Sequence, residues 1–186
     1  MVGALLIERG ASARDAIEVS SWPFCLVYLH TQQCACGGRW DAGEHRLQGR
    51  VEVHHARCRE CGGEREFWFD LARVLDDPWG HERFEDMRLM FSDGLEALEA
   101  DQPDQAVELL AEVTAREPWF GLAWLHLGMA HMVLESPERA RRSLERAVGL
   151  LPMDPRVRRR LAGCYAVLGL GARAQREEDV AELLEG

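Results

Sequence analysis

The sequence contains no lysine, so its 22 basic residues other than histidine are all arginine. Catalysis that needs a lysine amine is therefore excluded. The preference for arginine is typical of a GC-rich genome and is the only ground on which we expect a bacterial source. Acidic residues outnumber basic ones, and the formal net charge is −10. This charge disfavours general affinity for nucleic acid or for an anionic membrane.

Other absences limit location and activity. No apolar run approaches the ~18 residues that a membrane-spanning helix needs, and the first ten residues show no signal-peptide pattern. We therefore expect a cytoplasmic protein whose six cysteines are reduced or metal-bound. The sequence also lacks a phosphate loop and the G-x-G-x-x-G, H-E-x-x-H and G-x-S-x-G motifs. Because its seven histidines are scattered, we predict that the protein is not an enzyme.

The stretch from Gly121 to Leu134 has no formally charged residue, although 29% of the chain is charged. A helix that is apolar nearly all round must be covered on more than one side, so this stretch predicts a central helix. Counted from Gly121, positions 4, 7, 8, 11, 20, 24, 27 and 32 are Trp124, Leu127, Gly128, His131, Ala140, Leu144, Ala147 and Pro152.

The same pattern recurs once before and once after this stretch. Counted from Met87 it gives Met90, Gly94, Ala97, Ala106, Leu110, Val113 and Pro118, and counted from Pro155 it gives Leu161, Ala162, Tyr165, Ala174 and Ala181. Asp93 and Glu178 depart from it. The period of about 34 residues resembles the tetratricopeptide repeat (TPR), a helix–turn–helix unit. The resemblance implies three helix pairs, at 87–120, 121–154 and 155–186.

Two cysteine pairs precede the repeats. Cys34-x-Cys36 and Cys58-x-x-Cys61 are each followed by two glycines and flank a segment with partial strand-like alternation. Thiolates suit Zn²⁺, and glycines let backbone amides turn toward the sulfurs. The arrangement resembles a zinc ribbon, and we predict a closed, structural Zn²⁺ site with these four cysteines as ligands.

Several features around the cysteines remain open or secondary. His54 or His55 in place of Cys34 or Cys36 would leave the site closed. Cys25 and Cys164 are predicted to be core thiols, because Cys25 lies in a predicted apolar strand and Cys164 in a repeat helix. We predict a helical turn or two at 11–19 and strands at 23–30, 46–53 and 64–69.

Together these features predict an α+β chain. A small zinc-ribbon-like domain is expected at 1–75, a joint at 76–83 and an all-α array of three TPR helix pairs at 84–186. Trp79 in the joint is predicted either to wedge between the two parts or to be an ordinary, partly exposed aromatic residue.

The resemblance also implies a binding surface, because the first helix of each TPR pair lines the inner face of the array. It predicts a groove that is apolar in the middle and ends in an arginine cluster, formed by Phe91, Leu95, Leu122, Leu125, His126, Met129, Met132, Arg156, Arg159 and Arg160. Methionines suit an adaptable peptide-binding surface. Arginines favour an acidic peptide, a C-terminal carboxylate or a phosphate group.

The function that we favour is a non-enzymatic adaptor or scaffold for protein–protein interaction. The alternative is a zinc-ribbon regulator associated with nucleic acid or polymerase, which would use Arg39, Arg46, Arg50, Arg57, Arg59 and Arg65 with Trp40 and Trp68. Residues 1–80 hold 9 arginines against 12 acidic residues, so nucleic acid is the less favoured partner. Two alternatives also remain for the groove: the N-terminal domain or a second subunit covers it, or its arginines meet the acidic region of another copy.

Overall fold

A computed structural model describes residues 10–77 and 80–185. The chain divides into two compact units, Met1–Phe84 and Glu85–Gly186. The predicted domain limits stay a prediction. Within the predicted joint, Pro78 and Trp79 lie outside the described residues, and so does the prediction made for Trp79. Within the described ranges, no helix has the length and apolarity needed to cross a bilayer.

The first unit contains a mixed four-stranded sheet. Its strands are β1 (Ile17–Glu18), β2 (Trp40–Gln48), β3 (Val51–Cys58) and β4 (Glu64–Asp70). Their order in the sheet is β1-β4-β3-β2, with β1 parallel to β4 and the other pairs antiparallel. The strand predicted at 64–69 is confirmed. The helical turn predicted at 11–19 is a single 3₁₀ turn, Ala13–Asp15, which is followed by β1.

The prediction of one strand over residues 46–53 is wrong. Those residues include a hairpin turn, because Gln48 of β2 pairs with Val51 of β3 across a two-residue loop. Gly49, the first loop residue, has φ +64°. A type II′ turn takes glycine at this position, because most side chains avoid a positive φ there.

The prediction of a strand over residues 23–30 is also wrong. This segment lies in helix α1 (Trp22–Thr31), which has Pro23 in its first turn, where a missing N–H costs nothing. The buried residues of α1 are Phe24, Cys25, Tyr28 and Leu29. Their spacing of one, four and five residues follows the period of a helix, and it outweighed the high strand propensity of the individual residues. Cys25 is fully buried, as predicted, but it lies in a helix.

The second unit is an array of stacked helices. The one-turn helix α2 (Ala72–Leu75) belongs to the first unit, and α3 (Gly80–Glu99) crosses the boundary between the units. The helices that follow are α4 (Pro103–Arg116), α5 (Gly121–Val133), α6 (Pro137–Leu150), α7 (Pro155–Val167) and α8 (Gly171–Glu185). The bounds of α5 to α8 agree with the second and third predicted helix pairs. The α+β fold class predicted from the sequence is therefore confirmed.

Helix α5 is covered on two sides, as its lack of charge predicted. Leu127 and Ala130 pack with buried residues of α3 and α4, whereas Leu125 packs with buried residues of α6 and α7. Gly128 is small because a Cβ there would lie 2.6 Å from the Leu144 side chain of α6. His131 and Cys164 are buried, as predicted for core residues.

Candidate metal centre and peptide-binding surface

The four predicted metal ligands lie together at one end of the sheet. Cys34 and Cys36 precede β2, Cys58 ends β3, and Cys61 lies in the loop before β4. The Sγ atoms of Cys34 and Cys61 are 3.7 Å apart, those of Cys36 and Cys58 are 3.5 Å apart, and all four lie within 4.8 Å of one another. Four sulfurs about 2.3 Å from a tetrahedral Zn²⁺ ion are about 3.8 Å apart, so the cluster fits this ion.

Two tight turns hold the cysteines in this arrangement. In the first, the Cys34 N–H donates to the Gly38 carbonyl and the Gly37 N–H donates to the Cys34 carbonyl, each over 2.8 Å. In the second, the Cys58 N–H donates to the Gly63 carbonyl over 2.8 Å and the Gly62 N–H donates to the Cys58 carbonyl over 3.0 Å. The two turns therefore share the same pair of closing hydrogen bonds, although the second turn is one residue longer.

Glu60 is a site residue that the sequence analysis missed. Its Oε2 accepts a hydrogen bond from the Arg39 N–H over 3.0 Å and lies 3.7 Å from Cys58 Sγ. This carboxylate links the two turns. A signal was present in the sequence, because Glu60 lies inside the Cys58-x-x-Cys61 motif, between two of the predicted ligands.

The thiols of the cluster differ in acidity. A hydrogen bond from the Gly63 N–H, followed by the neighbouring thiols, lowers the pKa of Cys61 to about 7. The Gly38 N–H lowers the pKa of Cys36, but the sulfurs of Cys58 and Cys61 outweigh it and raise this pKa to about 12. A bound cation would displace the protons that the thiols still hold, so metal binding at this site releases protons.

Neither candidate histidine belongs to the cysteine cluster. His55 is exposed, and its Nε2 lies 3.2 Å from Glu66 Oε1. His54 is buried, and its Nε2 lies 3.3 Å from Glu52 Oε1. Burial lowers the pKa of His54, and the nearby Glu52 opposes this shift. Of the two ligand sets considered, the four cysteines are the one that the geometry brings together.

We call the predicted groove residues of α3, α5 and α7 the strip, and two ring contacts of Phe91 are observed within or beside it. The Phe91 ring of α3 packs 4.7 Å from the Phe120 ring and 6.0 Å from the His126 ring, between centroids. Around it, side chains are half-buried at Leu95, Leu122, Met129 and Met132. Leu125 is only 7% exposed and belongs to the core, so it offers less surface than predicted.

The three predicted arginines on α7 are exposed but differ in their partners. Arg156 donates to both carboxylate oxygens of Asp154, over 3.0 and 2.6 Å, and Arg159 pairs with Glu185. For Arg160, the described part of the chain shows no ion pair. Arg160 is therefore the member of the cluster that is best able to meet an external anion.

His126 connects the aromatic and basic ends of this strip. Its pKa is lowered by burial first, and then by the positive charges of Arg160 and Arg156. The two arginines are thus near enough to act on the imidazole electrostatically. The basic end of the strip, on α7, would favour a negatively charged group.

Three of the six arginines that the nucleic-acid alternative would use are paired with carboxylates. Arg46 pairs with Glu66, Arg50 with Asp76 and Arg59 with Asp41. Trp40 is 5% exposed and so presents little surface on which a base could stack. These four residues are therefore less available to a nucleic acid than the sequence suggested, and the alternative itself stays a prediction.

Comparison with known proteins agrees with the repeat assignment. A family model described as Tetratricopeptide repeat matches residues 97–159. No curated protein sequence matches the chain. Among solved structures, MamA from AMB-1 is 26% identical with a TM-score of 0.52, and the match covers 56% of this chain and 62% of MamA.

Two similar structures contain bound peptides. The Yersinia enterocolitica type III secretion chaperone SycD, in complex with a peptide of the translocator YopD, is 16% identical with a TM-score of 0.52, covering 54% of this chain and 76% of SycD. The first TPR of Spaghetti (RPAP3), bound to the HSP90 peptide SRMEEVD, is 15% identical with a TM-score of 0.53, covering 54% and 80%.

The coverage of the matched chains is limited. The alignment spans 62% of the MamA chain and 59% of the matched chain in the CopN–Scc3 complex. At these identities, the likeness to SycD and RPAP3 shows the fold alone. The family match over residues 97–159 and the stacked helices show tetratricopeptide repeats in the second unit, and the N-terminal sheet with its four-cysteine cluster is consistent with a zinc ribbon.

Proposed function

We propose that the protein is a non-enzymatic interaction module that binds an extended segment of a partner protein in the groove of its repeats. The observation that carries the proposal is the strip from Phe91 to Arg160, in which half-buried apolar side chains adjoin a histidine and exposed arginines. TPR proteins are in general binding modules, and the SycD and RPAP3 structures hold peptides. This likeness supports the class of ligand but not its identity.

The strip also limits the chemistry of the segment. Half-buried Leu122, Met129 and Met132 offer apolar area, and the methionines adapt their shape to a partner. Arg160 offers a planar set of donors that fits a carboxylate. The preferred segment is therefore apolar in its middle and ends in an acidic side chain or a free C-terminal carboxylate.

The zinc-ribbon-like unit has a structural role in this proposal. Four protein ligands fill the tetrahedral coordination of Zn²⁺ and leave no position for a substrate or an activated water. Bound zinc would stabilise a unit that is too small to bury a large core. We expect about one zinc ion at Cys34, Cys36, Cys58 and Cys61.

The proposal is tested by selecting peptides and then changing one arginine. A displayed library of random peptides with free C-termini is panned against the intact zinc-loaded chain. The selected peptide is then measured by calorimetry in free-acid and C-terminally amidated forms. We expect apolar sequences with an acidic end, and Arg160→Glu should weaken binding at least about tenfold, since it replaces a charge-assisted hydrogen bond with repulsion.

Arg142→Glu is the matched control, because Arg142 is an exposed arginine on α6, the second helix of its pair. It makes the same change of charge and should leave affinity within about twofold. Equal losses in the two variants would show a general effect of net charge and would contradict a groove site. Failure to select any peptide would contradict the proposed function itself.

A further inference from the structure

A second cluster of metal-ligating side chains lies within the first unit, away from the four cysteines. It consists of Cys25 on α1 and of Glu52 and His54 on β3, whose ligand atoms all lie within 4.8 Å of one another. All three residues are buried, with 0%, 1% and 4% of their surface exposed.

The fold explains why these residues meet. Successive side chains of a strand alternate between the faces of a sheet, so Glu52 and His54 project from the same face of β3. Helix α1 packs against this face, where Tyr28 meets Phe69, the cross-strand neighbour of Glu52, with 5.8 Å between ring centroids. The Trp22 indole N–H of α1 donates to Glu52 Oε1 over 3.2 Å. Cys25 follows Trp22 by three residues and so lies on the same side of the helix.

Two polar atoms of the cluster, one on Glu52 and one on His54, are buried without a hydrogen bond to the described residues. They are Glu52 Oε2 and His54 Nε2. Burying an ionised carboxylate is costly unless a positive charge or several hydrogen bonds compensate it. Within the described ranges, Glu52 has ion-pair contacts only with the imidazoles of His45 and His54. The cluster thus lacks a positive partner for its carboxylate.

We propose that Cys25, Glu52 and His54 bind a second divalent transition-metal ion of the zinc type. A thiolate, a carboxylate and an imidazole are all ligands of Zn²⁺. One thiolate and one carboxylate also balance the charge of a dication, which removes the cost of burying them. The indole of Trp22 would then orient the carboxylate ligand through its other oxygen.

His45 is placed to complete this second site from its exposed side. Its Nε2 lies 3.8 Å from Glu52 Oε1, and its ring stacks on that of His54 with centroids 5.3 Å apart. Its side chain is 62% exposed, so it can turn toward the metal without disturbing the core. This imidazole would take the fourth position.

The second site is distinct from the cysteine cluster. His54 and Cys58 are four residues apart on one strand, which corresponds to about 13 Å along β3. The competing explanation is a buried polar cluster that binds no metal, in which Glu52 or the imidazoles carry a proton. The two explanations differ in how many metal ions the chain holds.

The test counts metal ions in the intact chain. Protein is saturated with Zn²⁺, freed of loosely bound metal and measured by elemental analysis, and a parallel Co²⁺ titration is followed by absorption. We expect two ions per chain. Two spectral phases should appear, because the cysteine cluster supplies four thiolates and the second site only one, so sulfur-to-cobalt charge-transfer absorption differs about fourfold. One ion per chain in a single phase would overturn the proposal.

Variants assign the second ion to its ligands. Cys25→Ser and Glu52→Gln should each reduce the count from two to one and remove only the weaker phase. Cys164→Ser and Glu66→Gln make the same changes elsewhere and should keep two ions, since Cys164 is an equally buried helical thiol. Cys61→Ser should remove the stronger phase instead.

A variant at the exposed residue His45 tests the second site without disturbing the core, in case the variants of buried ligands fail to fold. His45→Ala changes a side chain at the surface and should weaken the second site about tenfold, whereas His55→Ala, its neighbour on the opposite face, should not. Retention of two ions in both Cys25→Ser and Glu52→Gln, or equal affinity in His45→Ala and His55→Ala, would place the second ion elsewhere and overturn the proposal.

Discussion

Gly38 and Gly63 occupy equivalent positions in the two turns of the cysteine cluster, yet their surroundings differ. A Cβ added at Gly38 would lie 2.6 Å from Cys58 Sγ and 2.1 Å from Glu60 Oε2. A Cβ added at Gly63 would lie 3.4 Å from Cys61 Sγ, which is ordinary contact. Neither residue has a positive φ. A side chain at either position therefore meets no strain from the backbone conformation. Any difference between the two variants would reflect the space available for the added methyl group.

We expect Gly38→Ala to weaken zinc binding at least about tenfold, because Cys58 and the Glu60 carboxylate must both move. Gly63→Ala should change the affinity by less than about threefold. Competition with a chromophoric chelator measures both variants under one set of conditions. Equal affinities for the two would mean that the first turn is loose enough to accept a methyl group.

Trp124 is a second residue with a testable role. Its half-buried ring packs against the clusters on both sides of α5, and its Nε1–H donates to the Pro118 carbonyl over 3.0 Å. We expect Trp124→Ala to lower the free energy of unfolding by about 3 kcal/mol, near the lower end for a large aromatic residue because the ring is not fully buried.

Trp124→Phe separates packing from the hydrogen bond. It keeps most of the apolar area and should cost only about 1 kcal/mol, the value of one hydrogen bond. Urea denaturation followed by circular dichroism measures both changes. A loss below about 1 kcal/mol for Trp124→Ala would contradict the central position of this residue.

At the scale of elements, local patterns were predictable and packing was not. The repeat helices follow from a spacing that recurs over three periods, and the four cysteines follow from two short motifs. Helix α1 was mistaken for a strand because Val27 and Tyr28 favour strands individually, whereas the burial of Phe24, Tyr28 and Leu29 by tertiary contacts selects a helix.

The same reasoning explains which site residues could be predicted. Cys58, Glu60 and Cys61 lie within four consecutive residues, so sequence spacing alone brings them close. Cys25 and Glu52 come together only because α1 packs on β3, and no short motif reports such a contact. The bond between Arg159 and Glu185 likewise joins α7 to α8, which reduces the part of Arg159 in the predicted groove.

The stability of the repeat unit should depend on pH because of two histidines on α5. Burial lowers the pKa of His126 and of His131, and nearby arginines lower both further: Arg160 and Arg156 for His126, and Arg139 for His131. The unfolded chain takes up protons near the ordinary imidazole value of 6.5, whereas the folded chain does so only at lower pH. Stability should therefore fall as the pH falls through about 6.5.

Urea denaturation at pH 7.5 and at pH 5.5 measures this effect. The double variant His126→Gln/His131→Gln should lose less stability between the two values than the parent chain. Carboxylates are common to both proteins, so their contribution cancels in the difference. An identical loss in the two proteins would show that these imidazoles titrate alike in the folded and unfolded states.

At the scale of the whole molecule, the two units should respond differently to loss of metal. TPR units contact mainly their neighbours along the array, so the helices do not depend on the cysteine cluster for their own packing. We expect Cys61→Ser to unfold the first unit and to leave most of the helical circular dichroism signal intact. Cys164→Ser should keep its zinc and serves as the control. Loss of the whole helical signal in Cys61→Ser would show one cooperative unit.

The central claim is that the inner face of the repeats binds a segment of another protein. It is tested most directly by mapping backbone amide chemical shifts of the zinc-loaded chain as a selected peptide is added. We expect the largest shifts on the first helices α3, α5 and α7, around Phe91, His126 and Arg160. Shifts confined to the sheet of the first unit, or to α4, α6 and α8, would contradict it.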